Sequence, residues 1–108
     1  MAVNLEMDGM LQVTDISADW SYLANRPEGW PARPRLLSMK FTPGAVGDKI
    51  MVRQRDPGGP EAFYAACEND TEPRIEYYHG TIRLPYVLYS ESTLSPGHKL
   101  VINLWSES

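Results

Sequence analysis

Residues 35–55, RLLSMKFTPGAVGDKIMVRQR, decide how the chain is read. Leu37, Met39 and Phe41 alternate with Ser38 and Lys40, the two-residue period of a half-buried strand, and Pro43-Gly44 stops it. Lys49 to Arg55 repeats the pattern, with Ile50 and Val52 inward and Lys49, Arg53 and Arg55 outward. Asp56-Pro57-Gly58-Gly59-Pro60 then forces a reversal. The return run from Ala62 to Cys67 puts Phe63, Ala65 and Cys67 on one side.

Working outward, Leu11 to Ile16 alternates in the same way and reads as a first strand, with Leu11 and Val13 on its apolar face. A further strand, Arg74 to Tyr78, precedes a break at Gly80. Ile82 to Ser90 follows, with Ile82, Leu84, Tyr86 and Leu88 on one face, and Pro85 marks it as an edge or bulged strand. Lys99 to Trp105 closes the chain with Leu100, Ile102 and Leu104 inward. The pattern predicts an all-β fold: one domain over 1–108, a small β-sandwich or jelly-roll-like barrel of about seven antiparallel strands, with an irregular N-terminal arm over about 17–34. The expected core is Leu37, Met39, Ile50, Val52, Phe63, Ile82, Leu84, Ile102 and Leu104.

The residue balance narrows the function. Nine prolines and eight glycines beside six tyrosines and three tryptophans favour strands broken by turns. A net charge of −4 lacks the basic footprint of a nucleic-acid binder, so no nucleic-acid partner is expected. No apolar run approaches a membrane span, and the first residues have neither the basic nor the apolar part of an export signal, so a protein made and kept in the cytosol is expected. The single cysteine, Cys67, cannot form an internal disulfide.

Residue types that do chemistry are few, and no catalytic site, metal or cofactor is expected. Cys67 with His79 or His98 supplies the types for a nucleophile and base, but Cys67 continues the inward face of Phe63 and Ala65. Two histidines without a cysteine cluster make no zinc pattern. The acidic turn Glu68 to Glu72 lacks the glycine and the distant glutamate of a calcium loop. It reads as a solvated turn.

The arm stands apart. In WSYLANRPEGWPARP, Trp20 to Pro34, one helical turn is expected near Asp19 to Ala24, and the remainder has no period. Trp20, Tyr22, Arg26, Trp30, Arg33 and Arg35 are the residue types enriched where proteins bind proteins, and they are the expected partner-binding residues. The other readings are that the tryptophans plug an open end of the sandwich, or that the aromatics form a sugar-stacking platform.

From Arg35 to Leu104 the chain resembles small β-sandwich structural proteins of tailed bacteriophages and prophages. The resemblance rests on RLLSMKFTPGAVGDKIMVRQ, DPGGPEAF, PRIEYYHGTIRLPYV and STLSPGHKLVINL. It implies a non-enzymatic virion protein, first a capsid decoration or stabilising protein bound to the particle as a homo-oligomer. A neck, tail or fibre component and a carbohydrate-binding module are the alternatives. The implied partners are a major capsid protein or a neck or tail protein, with the chain made in the host cytoplasm and carried in the virion.

Overall fold

The computed structural model describes residues 2–7, 10–26, 30 and 32–104, and of residues 2–7, 79, 81 and 82 the backbone alone. Nine strands occur among them: β1 (Ala2–Met7), β2 (Met10–Thr14), β3 (Trp20–Ser21), β4 (Arg35–Thr42), β5 (Lys49–Gln54), β6 (Glu61–Ala66), β7 (Arg74–Ile82), β8 (Pro85–Val87) and β9 (Lys99–Leu104). They form two antiparallel sheets, β1-β2-β9-β4-β7 and β3-β8-β5-β6.

The pairing follows one rule. β5 pairs with β6, β4 with β7, β3 with β8 and β2 with β9, so the chain is a long antiparallel ribbon hinged at the β5–β6 turn. Rolling the ribbon brings β9 against β4 and β8 against β5. That is the jelly-roll arrangement of a double-sheet β-sandwich. β1 extends the edge beside β2.

Alternation places the core between the sheets. Leu11, Val13, Met39, Phe41, Leu100 and Ile102 face Trp20, Ile50, Val52, Phe63, Ala65 and Val87, all buried. Rows across the strands confirm the phase, since Leu11 and Met39 both lie opposite Ile102, and Val13 and Phe41 both lie opposite Leu100.

Several expectations need correction. Leu37 is exposed and Leu36 takes the buried place, because the β4 register slips between Leu36 and Ser38 and the extra residue shifts the alternation by one. Gly80 does not end a strand. It sits inside β7 at φ 83, within the same irregularity, where a left-handed backbone suits glycine. The chain then crosses to the other sheet at Arg83–Leu84, and the expected phase of the next run is reversed: Pro85 and Val87 are buried while Leu84, Tyr86 and Leu88 are only half-buried. β8 is internal, not an edge, and tolerates Pro85 because it is the first residue of the strand. The first expected strand stops at Thr14, where Asp15 turns left-handed at φ 53. β1 and the two-residue β3 are additions. The expected core placement of Ile82 and the strand end at Trp105 lie outside the described residues.

The expected helical turn is present as α1 (Tyr22–Asn25), with the Ser21 hydroxyl accepting the Ala24 amide at 3.3 Å.

Candidate partner-binding end

Strand directions sort the connections into two ends. At one end, residues 15–19, 43–48, 67–73 and 94–98 are laced together. The buried Asp48 carboxylate accepts the amides of Gly44 and Ser95, both at 2.9 Å, and the Ser95 hydroxyl at 2.6 Å. The Gly47 amide donates to the Cys67 carbonyl at 2.7 Å, and the Cys67 amide to the Asp48 carbonyl at 2.8 Å. His98 is buried, and its Nε2 accepts the Ile16 amide at 2.9 Å, so the ring proton sits on Nδ1 and donates to the Ser95 carbonyl at 2.8 Å.

This end therefore holds Cys67, His98 and the acidic turn, and it uses them for structure. His98 spends both ring nitrogens on backbone groups. Cys67 is buried, and that burial pushes its thiol up, away from the thiolate a nucleophile needs. In the acidic turn, Asp70 accepts the Glu72 amide and the Arg74 guanidinium. No group of three metal-ligating side chains is found among the described residues. The His79 side chain lies outside them.

The opposite end carries the described arm residues 26, 30 and 32–34, the turn over 55–60 and the corner at 83–84. Of the six residues expected to meet a partner, Trp20 and Tyr22 are fully buried in the core, which matches the plug reading and leaves them no surface to offer. Burial raises the Tyr22 hydroxyl, with Arg26 nearby working against the rise. Trp30 is partly buried against the same core, and its carbonyl accepts the Arg26 guanidinium. Arg26, Arg33 and Arg35 are exposed.

Tertiary structure adds two arginines that sequence reading passed over. The Arg83 amide donates to the Pro34 carbonyl at 3.1 Å, and Arg35 lies opposite Ile82, so the backbone brings Arg83 beside the end of the arm, where the buried Pro34 separates the exposed Arg33 and Arg35. The Arg55 amide donates to the Leu84 carbonyl at 2.7 Å, tying in a fourth. The Arg83 guanidinium lies 5.6 Å from the centre of the Tyr78 ring, and its Nε is buried with no acceptor. The signal that could have found them is weak: each borders a turn, and nothing local links 55 or 83 to the arm.

Arg53, whose guanidinium also donates to the Gly59 carbonyl in the 55–60 turn, pairs with Glu91, and Arg74 at the other end pairs with Asp70, both at 3.0 Å. Among the described residues Arg26, Arg33, Arg35 and Arg83 have no carboxylate partner, and Arg55 has only Asp56 at 3.9 Å. Asp8, Glu28, Glu107 and the side chain of Glu6 lie outside the described residues.

The exposed tyrosines do not form one platform, because Tyr64 is on the outer face of the four-stranded sheet and Tyr77 on that of the five-stranded sheet. No helix among the described residues is long and apolar enough to cross a membrane. Compared with protein-family models, with curated proteins and with solved structures, the chain shows no match.

Proposed function

We propose that this domain is a non-enzymatic docking protein of a tailed-phage particle, a capsid decoration or stabilising protein that attaches as a homo-oligomer through the arm end. The observation that carries the docking part is the set of exposed arginines, Arg26, Arg33 and Arg35, held on a hydrogen-bonded sandwich without carboxylate partners among the described residues. Arginine is well suited to such a surface, because its planar fork meets carboxylates and carbonyls with several donors at once. The particle part rests on the sequence resemblance over Arg35 to Leu104.

The test is mass spectrometry and copy counting of the chain in purified particles, alongside particle binding by the Arg33→Ser/Arg35→Ser variant. Stoichiometric copies in the particle and loss of attachment in the variant are expected. Absence from particles would remove the virion reading, and full attachment by the variant would remove the arm end as the docking surface.

A further inference from the structure

We infer that two copies of the chain join edge to edge through β7, antiparallel about a twofold axis at Ile75, so that two five-stranded sheets become one continuous sheet. This goes beyond the docking reading and uses a different surface, since the start of β7 follows the 67–73 connection at the end away from the arm.

Four strands bound the two sheets, and three of them carry features that blunt an edge. β3 is two residues long, β1 shifts register between Val3 and Leu5, and β6 has its Ala62 carbonyl taken by Tyr78. β7 is nine residues long, contains neither lysine nor proline, and runs in regular register with β4 from Arg74 to Tyr77 before the irregularity near Gly80. Among the described residues, the backbone of Arg74 to Tyr77 has no partner other than β4. On its outer face Ile75 is 46% and Tyr77 60% exposed, opposite Lys40 and Ser38 of β4. An open edge with apolar side chains is a template for one more strand.

Charge complementarity along this edge selects a second copy as that strand. Side chains directly opposite in an antiparallel pair point to the same face, so a self-pairing that keeps the outer faces together has its axis through a residue. An axis at Arg74 or Glu76 would set like charges against each other, and one at Tyr77 would run the pairing into the left-handed Gly80. An axis at Ile75 stays within the regular stretch. It sets Ile75 against its counterpart, Tyr77 against the partner's Pro73, and Arg74 against the partner's Glu76 on both sides of the axis. Arg74 already donates to Asp70 and to the Glu72 carbonyl within its own chain, but a guanidinium has five donors and can meet a further acceptor.

The experiment is sedimentation velocity of the full chain over a concentration series, with oxidative cross-linking beside it. A monomer–dimer equilibrium is expected for the parent. Arg74→Glu should weaken association by roughly tenfold, and Arg74→Glu/Glu76→Arg should recover it, although neither variant restores the ion pair to Asp70 within the chain. Ile75→Cys should give a disulfide-linked dimer on mild oxidation, because opposed Cβ atoms lie about 4.5–5.5 Å apart, close to disulfide geometry. Tyr64→Cys, exposed on the other sheet, and the parent, whose Cys67 is buried, should not. A parent that stays monomeric, a double variant as weak as Arg74→Glu, or an Ile75→Cys chain that cross-links no faster than Tyr64→Cys would overturn the inference. None of these measurements involves Arg33 or Arg35, so a failure here leaves the arm-end reading to its own particle-binding test.

Discussion

The Tyr78 hydroxyl on β7 donates to the Ala62 carbonyl on β6 at 2.7 Å, joining the edge of one sheet to the edge of the other. β7 is the edge strand of the five-stranded sheet and β6 that of the four-stranded sheet, so this bond clasps one side of the sandwich. The same ring carries the Arg83 guanidinium, and one residue thus links the body of the fold to the candidate docking end.

Tyr78→Phe removes the clasp and leaves the Ala62 carbonyl without that donor. A loss of about 1–2 kcal/mol in denaturant unfolding is expected. Burial, reinforced by the Glu76 carboxylate at 3.2 Å, raises the Tyr78 hydroxyl well above the usual tyrosine range. A raised value in the folded state means that the contribution is complete below about pH 10, the unfolded tyrosine value, and is lost as pH climbs above it. The alkaline fall in stability should therefore be shallower in Tyr78→Phe than in the parent, and parallel alkaline limbs would refute the assignment.

Asp48 gives the opposite sign. Burial by itself raises its carboxyl, but the hydroxyl and amide of Ser95 and the amides of Gly44 and Ala45 outweigh burial and hold it below the ordinary range. A lowered value means that the stabilisation is present above about pH 4, the unfolded carboxylate range, and disappears as pH falls through the folded value. Asp48→Asn should cost about 1–3 kcal/mol, because one amide oxygen replaces two carboxylate oxygens and leaves a donor facing donors. Its acid unfolding limb should also flatten, measured by tryptophan fluorescence between neutral and acidic pH.

Gly44→Ala tests the same end by volume. An added Cβ would lie 2.6 Å from the Ser95 carbonyl oxygen and closer still to that of Pro96, both backbone atoms that cannot swing aside. The strain should cost on the order of 1–3 kcal/mol, visible as a lowered melting temperature. Gly47→Ala is the comparison: its space is open, and its penalty comes from the left-handed φ of 96 instead.

Trp20 and Arg33 separate folding from docking. Trp20→Ala empties a fully buried position and should cost about 3–5 kcal/mol, enough to unfold a small domain under mild conditions. Arg33→Ser is exposed and should leave unfolding within about 0.5 kcal/mol while weakening particle attachment. If Arg33→Ser unfolds the chain, or Trp20→Ala leaves it stable, the division between plug and docking surface is wrong.

Where a strand stays in phase, its sequence determines it. Leu11/Val13, Ile50/Val52 and Leu100/Ile102 are read correctly because side chains alternate along a strand whatever its neighbours are. Where the chain bulges or changes sheet, alternation fails, and Leu37, Leu84 and Tyr86 are misread because pairing with a partner strand sets the slip. The burial of Trp20 and Tyr22 is likewise a tertiary outcome: their composition fits a binding arm, and the pairing of β3 with β8 turns Trp20 inward, with Tyr22 buried at the start of α1 that follows. The candidate site divides the same way. Arg26, Arg33 and Arg35 are legible as a local cluster, whereas Arg55 and Arg83 join them only because the rolled ribbon brings three distant turns to one end, and loop closure over such separations leaves no trace in local sequence.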